Sequence, residues 1–326
     1  YLYAHEKDLK GCTTFRFNPQ AFQGVLVKQE DLETTIYRFT LDNDEIIEVK
    51  GDFGNQKPRF FLFTGVTWAF PAGMDATVMD TVIIVPARLQ SVRFPRKLLH
   101  EIHGKPLILW TAQRLAEVSL GLPFYFAVED QELEMVLEEA GFEVFRTSGD
   151  HRSGTDRIAE VNQHLRAEHV LNVQADEPLV TAEQLRALNS LIHGDVDMAT
   201  LAFPFSNEVD FYDPNCVKTV LDHQGRALYF SRAPIPFPRD VGFPMPEGWL
   251  NKNSCYHHIG VYAYKRQFLA EFSQMPQGRL ERVERLEQLR ALENGYRIAV
   301  GVSSQPTVGL DTPEDAARLE GLLGPG

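Results

Sequence analysis

From Asp80 onward the chain alternates short, continuously apolar runs with segments of helical pattern. Residues 82–85 (VIIV), 124–128 (FYFAV) and 169–173 (HVLNV) read as strands, and residues 144–146 as a shorter one. Residues 108–118, 132–140 and 157–165 read as the helices between them. This order predicts an α/β fold with a parallel or mostly parallel sheet and right-handed crossovers. A run such as VIIV, with no polar residue in alternation, suits a central strand covered on both faces. Residues 199–203, 217–221, 227–230 and 258–264 read as strands that interrupt the order, and they assign about residues 195–290 to a second half of the domain.

Ahead of Asp80 the pattern is different. Residues 35–41 alternate, a turn follows at Asp42, Asn43 and Asp44, and residues 45–50 alternate again, which predicts a hairpin; residues 59–64 read as a further strand. The organisation is therefore a small β-rich module over residues 1–76 and an α/β domain over residues 77–326. Phe60, Phe61, Phe63, Trp68 and Phe70 read as the core of so small a module rather than as a ligand platform.

Composition narrows the function classes. A chain of 326 residues with 44% hydrophobic content supports two domains and a substantial core. Its net charge of −13 excludes the extended basic surface of a nucleic-acid binder. No apolar run approaches the roughly 18 residues of a membrane span, and residues 1–10 lack the basic and apolar regions of a signal peptide. Cys12, Cys216 and Cys255 are odd in number and lack metal-ligand spacing, which fits a reducing cytoplasm.

Against that acidic background, Arg88, Arg93, Arg96 and Lys97 crowd one loop directly after the VIIV run. Open α/β sheets hold ligands beyond the carboxyl ends of their strands, so the loop is read as a phosphate site rather than a solvated basic turn. The stretch NVQADEP, residues 172–178, ends another apolar run, and Asp176 there is suited to hold Mg²⁺ through oxygen. Asp311, in VGLDTPED, supplies a further carboxylate beside a helix start marked by Pro313. Arg232 and Arg239 bring two guanidinium forks close in sequence, a match for an acidic sugar. Ser153, Gly154 and Thr155, ahead of Arg157, allow close backbone approach to a ligand.

Pro86, Ala87 and Arg88, followed by Ser91, Arg93, Pro95, Lys97 and Leu99, resemble the amino-terminal signature of the sugar cytidylyltransferases, in particular the CMP-Kdo synthetase (3-deoxy-manno-octulosonate cytidylyltransferase) family. The likeness runs to about Glu320 and includes YHHIGVY at residues 256–262 and LEQLR at residues 286–290. It implies a Rossmann-like nucleotidyltransferase domain that transfers CMP from CTP to the anomeric hydroxyl of Kdo, for lipopolysaccharide synthesis. By the same resemblance, Pro86, Ala87, Arg88, Arg93, Lys97, Ser153 and Arg157 contact the nucleotide, and Arg88, Lys97 and Asp176 serve the chemistry. Gln174, Arg232, Arg239, His258, Tyr262, Glu287 and Gln288 surround the sugar acid, Asp176 and Asp311 hold Mg²⁺, and the enzyme is a homodimer.

The chain departs from the family pattern at several places. Arg96 stands where a small residue or Gly is usual, Leu98 for Pro, Val128-Glu129 for Thr-Asp, Ala175 for Gly and Arg279 for Pro. Ala175 strains the backbone if its φ must be positive. Two other functions compete: a cytidylyltransferase for another ulosonate, of sialic-acid type or 8-amino Kdo, and a non-catalytic nucleotide-binding scaffold. Lys97, Asp176 and Asp311 together argue against the scaffold.

Overall fold

The computed structural model describes residues 80–324 apart from 92–93, 243, 307–308 and 311, and, ahead of residue 80, the backbone of six strands. The chain divides into two compact units, Tyr1–Val78 and Met79–Gly326. In the first, β1 (Thr14–Arg16), β2 (Val27–Asp31), β3 (Thr34–Thr40), β4 (Ile46–Gly51), β5 (Arg59–Phe63) and β6 (Val66–Phe70) form two antiparallel three-stranded sheets. The pair β3 and β4 is the hairpin expected from the alternation at residues 35–50. The aromatic side chains assigned to this unit's core lie outside the described residues.

The second unit is built on β7 (Thr81–Ala87). The chain continues through a 3₁₀ turn at Lys97–Leu99, the short strands β8 (Glu101–Ile102) and β9 (Lys105–Pro106), and α1 (Leu107–Val118). Next come β10 (Phe124–Val128), α2 (Gln131–Glu139), β11 (Val144–Arg146), α3 (Gly154–Leu165), β12 (His169–Asn172), α4 (Ala182–Ile192) and β13 (Met198–Pro204). The second half holds α5 (Glu208–Tyr212), β14 (Lys218–Leu221), β15 (Ala227–Ser231), α6 (Trp249–Lys252) and β16 (Tyr256–Lys265). It closes with α7 (Arg266–Gln274), α8 (Arg279–Glu284), α9 (Gln288–Glu293), β17 (Ile298–Val302) and α10 (Pro313–Leu323).

The main path of the sheet runs β11-β10-β7-β12-β16-β13-β17. β7 pairs in parallel with β10 and β12, whereas β16 lies antiparallel between β12 and β13. The mostly parallel sheet is the one expected from the sequence. The VIIV run sits at its centre for the reason given by its pattern: Ile83 and Val85 pack under Leu115 and Leu188, while Val82 and Ile84 pack under Ile158 and Phe272. Among the elements absent from the sequence-based set are α4 and β17. The first is marked by a capping box in which Gln184 N donates to Thr181 Oγ1 at 3.2 Å and Thr181 N to Gln184 Oε1 at 3.0 Å. The second carries Gly301 next to its last residue, which weakens a strand pattern read from residue type.

One buried ion pair fixes the α8–α9 region. Arg290 donates through Nε to Glu281 Oε2 at 2.8 Å and through Nη2 to Oε1 at 2.6 Å, with side-chain exposures of 4% and 6%. Breaking one side of such a pair leaves a charge stranded in a low-dielectric interior. The Arg290→Ala variant is expected to lose about 3–5 kcal/mol in urea denaturation, and the paired replacement Arg290→Met with Glu281→Leu to recover most of it.

Candidate active site

Parallel pairing of β7 with β12 puts their carboxyl ends side by side, and a cleft of about 320 Å³ opens there. Ala87 and Arg88 from the end of β7, Lys97 from the following loop, Gln174 and Asp176 from the end of β12, and Arg157 from α3 all line it. The two stretches expected to bind phosphate and metal thus meet at one place. They are joined by an ion pair from Lys97 Nζ to Asp176 Oδ2, with only 16% and 22% of the two side chains exposed. Arg88 is exposed at the rim. Arg93 and Asp311 lie outside the described residues.

The loop is folded against itself and against α2. Leu89 N donates to Asp130 Oδ2 at 2.8 Å, and Arg96 N donates to Leu89 O at 3.2 Å. Arg96 has φ 59° and ψ 25°, the left-handed region that costs a non-glycine residue roughly 1–2 kcal/mol. This is a backbone reason for a small residue or Gly in the family pattern. Here the arginine ties its guanidinium to Glu132 on α2, which ties down the turn that presents Lys97. Ala175 has no such strain: it is not among the residues of positive φ, it is buried, and its carbonyl accepts from Thr111 Oγ1 at 2.8 Å.

On the other side of the cleft α3 begins. Ser153 Oγ accepts from Asp156 N at 3.2 Å and caps the helix. A Cβ at Gly154 would stand 3.2 Å from Pro86 Cγ, so glycine is what lets the helix start press on the end of β7. Arg157 is 2% exposed and held by two side chains: Nη2 donates to Glu129 and Nη1 to Thr147 Oγ1 at 2.7 Å. Glu129, one of the departures from the family pattern, is therefore the partner that makes a buried arginine tolerable. Sequence reading placed Arg157 at the site and missed Glu129 and Thr147, because nothing local in the sequence joins residues so far apart.

A second polar group lies where β16 crosses the sheet. His258 Nε2 and Thr200 Oγ1 are 2.9 Å apart, and Thr200 gives its own proton to the carbonyls of Val261 at 2.7 Å and Ile259 at 3.1 Å. The ring must then donate to Thr200 from Nε2, which leaves Nδ1 as an acceptor. Burial, together with the neighbouring His257, pushes His258 down to about 3, so the ring is neutral. Tyr262 OH donates to Gln288 Oε1 at 3.4 Å, and Gln174 Nε2 donates to Asn172 Oδ1 at 2.9 Å. Burial raises both the Tyr262 hydroxyl and the Glu287 carboxyl. Glu287 Oε2 accepts from Thr155 Oγ1 at 2.7 Å, while its Oε1 is buried without a hydrogen bond.

The two arginines of the second half are placed differently. Arg232 donates from Nε to Glu284 O at 2.8 Å and from Nη1 to Pro214 O at 2.9 Å, and its backbone N–H meets Glu284 Oε2 at 2.9 Å. Glu284 also takes the Ser231 hydroxyl at 2.7 Å and escaped sequence reading entirely. Arg239 is exposed, and the described contacts join it to neither group.

For a metal, the cleft offers hard oxygen donors. Leu310 N donates to Asp176 O at 3.1 Å, and a Cβ at Gly309 would stand 3.4 Å from the same carbonyl. The residue preceding Asp311 in the chain is thus bound to the Asp176 loop. Carboxylate oxygens beside a cationic cleft suit Mg²⁺, which keeps several waters and shares phosphate ligands.

A mostly parallel α/β sheet with a cationic cleft at its strand ends is an architecture that binds nucleotides, and the cytidylyltransferase family model matches residues 82–298, which makes the class a nucleotidyltransferase. The chain belongs to the 3-deoxy-manno-octulosonate cytidylyltransferase family. It is 46% identical over 250 residues to the enzyme of that name from Syntrophobacter fumaroxidans, covering 75% of this chain and 97% of the relative. It is 42% identical over 245 residues to the one from Geobacter sulfurreducens, covering 74% and 98%. A solved structure of CMP:2-keto-3-deoxy-manno-octonic acid synthetase complexed with CTP is similar with a TM-score of 0.67 and 34% identity, over 75% of this chain and 98% of that one. The fold alone is shared with HddC from Yersinia pseudotuberculosis, at a TM-score of 0.51 and 14% identity.

A neutral His258 in the fold against an ordinary imidazole in the unfolded chain has a definite pH signature. The folded value lies below the unfolded one, so the contribution to stability is complete above the unfolded value of about 6.5 and is lost as pH falls from there toward 3. Urea denaturation is expected to show roughly 2 kcal/mol lost between pH 7 and pH 5 from this ring, and the Thr200→Val variant, which removes its partner, to be less stable at both. A flat profile would contradict the buried neutral ring.

Proposed function

We propose that this chain transfers the cytidylyl group of CTP to the anomeric hydroxyl of 3-deoxy-manno-octulosonate, releasing pyrophosphate and supplying an activated acid sugar for lipopolysaccharide assembly. The observation that carries the reading is the join between the two polar groups. Gly154 lines the cationic cleft, and the next residue, Thr155, donates to Glu287 of the second group. One helix start therefore serves a cleft fit for a triphosphate and a pocket fit for a polyhydroxy acid.

The reaction requires in-line attack of the sugar hydroxyl on the α-phosphorus while negative charge gathers on its nonbridging oxygens. Arg88 and Lys97 are the cations at the end of β7 that meet this charge, with Arg93 on the outer phosphates. Arg157, which donates to Glu129 and Thr147 and lines the cleft, keeps the start of α3 in place. On the acceptor side, His258, Tyr262, Gln174, Gln288 and Glu287 give a mixed set of donors and acceptors suited to hydroxyl groups. Arg232 is held in position by Glu284, and with Arg239 it is assigned to the sugar carboxylate. Asp176 and Asp311 would hold Mg²⁺, which supplies charge neutralisation at phosphate and acidifies a nearby hydroxyl.

Assembly and setting belong to the same proposal. A homodimer is supported by the exposed apolar side chains of Leu228, Phe237 and Val283 in the second half. Cysteines without metal-ligand spacing support a cytoplasmic setting. The domain division at residues 76 and 77 is supported by relatives whose almost whole length matches about three quarters of this chain.

The test is pyrophosphate release from CTP and Mg²⁺ with Kdo, N-acetylneuraminate or 8-amino Kdo as acceptor. Kdo is expected to be preferred. Asp176→Asn and Lys97→Met are expected to lower kcat by roughly 10²-fold or more with unchanged circular dichroism. Preference for another acid would replace the acceptor, and silence with all three despite CTP binding would favour the scaffold.

A further inference from the structure

A second cluster of ligand-type side chains lies at the other end of the sheet. Asp80 precedes β7, His169 opens β12, and His193 caps the carboxyl end of α4. One donor atom from each falls within 4.8 Å of the other two. The length of β7, about 20 Å for seven residues, separates this cluster from the cleft. The proposed reaction makes no use of it.

The hydrogen bonds around the cluster fix which atoms face each other. His193 Nδ1 lies 2.6 Å from the carbonyl of Asn189, which can only accept, so Nδ1 carries the proton and Nε2 of the neutral ring is a lone pair. That Nε2 stands 3.1 Å from Asp80 Oδ2. Two acceptors at this distance need a cation between them, and a proton on Nε2 or a metal ion fills that place. His169 turns its Nδ1 to the same residue, 3.5 Å from Asp80 Oδ1 and 3.2 Å from the Asp80 carbonyl. The two imidazoles lie with centroids 4.2 Å apart. A tetrahedral ion with bonds of about 2.0–2.1 Å has ligand atoms about 3.3 Å from one another; the His193 edge to Asp80 Oδ2, at 3.1 Å, has that spacing, His169 faces the other carboxylate oxygen at 3.5 Å, and the set of three lies within 4.8 Å.

The surroundings favour a cation as well. The carboxyl end of α4 carries the negative end of its dipole, and the Asn189 carbonyl orients His193 as second partners orient ligating histidines. Lys265, the register partner of His169, is turned to the Gly194 carbonyl at 2.9 Å. Thr81, the other register partner of His169, has a buried hydroxyl with no hydrogen bond. Asp80 is largely exposed, which leaves a path for an ion and a place for water as a fourth ligand.

We propose that Asp80, His169 and His193 form a binding site for a divalent transition-metal ion of the zinc class, separate from the transfer site. Imidazole nitrogen with a single carboxylate selects such ions over Mg²⁺. Binding puts the metal ion in place of the proton held between His193 Nε2 and Asp80, which goes to solvent, and the His169 proton moves from Nδ1 to Nε2 so that Nδ1 can ligate. The ion ties the starts of β7 and β12 to the end of α4.

The test uses the full chain with Co²⁺ and Zn²⁺ as probes. Co²⁺ is expected to give a visible d–d band without the thiolate charge-transfer band that cysteine ligands would add, and Zn²⁺ to displace it and raise Tm. His193→Gln and Asp80→Asn, both at exposed positions, are each expected to weaken Zn²⁺ binding by roughly tenfold or more while pyrophosphate release in Mg²⁺ is unchanged. No band and no Tm change in the unsubstituted chain would mean that only a proton is shared there and would overturn the site. A band that survives both substitutions would place the ion elsewhere and overturn it equally.

Discussion

Lys97 and Asp176 hold together two loops that are 79 residues apart in sequence, and the cleft proposed as the transfer site is organised around that contact. Neither charge is solvated well enough to stand alone, so each loop is positioned by the need of the other. The sheet makes this possible, because β7 and β12 are parallel neighbours and release their loops at the same edge. In the proposed reaction, a phosphate-bearing ligand enters a cleft whose opposite charges are already side by side, which limits the reorganisation left for the reaction itself.

The second half of the unit solves a related problem by other means. It carries several groups that are costly to bury, and each has a dedicated partner: Arg290 on Glu281, Lys218 on the carbonyls of Asp213 and Arg232, and His258 kept neutral against Thr200. Burial pushes Lys218 down from its ordinary value, as expected for an ammonium taken from water and held by carbonyls alone. These contacts pin the side chains around the polar group that is proposed to take the acceptor. A rigid polar pocket discriminates among sugar acids through single hydrogen bonds, because an unmatched group stays unpaired in a place that water does not fill.

Much of this was legible in the sequence where the cause is local. The VIIV run announces a strand buried on both faces, the loop after it supplies Arg88 and Lys97 to the cleft, and NVQADEP marks a second strand end. What escaped was pairing at a distance. Glu129 under Arg157, Glu284 behind Arg232, Thr155 against Glu287 and Thr200 beneath His258 are ordinary polar residues until the sheet is assembled. The departures from the family pattern divide in the same way. The left-handed turn at Arg96 gives a backbone meaning to the usual small residue, whereas Ala175 is accommodated without strain because its φ is negative.

The antiparallel strand β16 has a consequence for how the chain is made. β7, β10, β11 and β12 are neighbours that follow one another in sequence, so the nucleotide half can pair as it emerges from the ribosome. β13 has no such early neighbour: its partners β16 and β17 are both synthesised later, with α5, β14, β15 and α6 in between. Until β16 arrives, one edge of β12 and both edges of β13 stand open. Pairings of this long range are slow to close and leave strand edges exposed to other chains in the meantime. The vulnerable interval in this protein's biogenesis is therefore the synthesis of residues 205–255, and that is when a chaperone has most to protect.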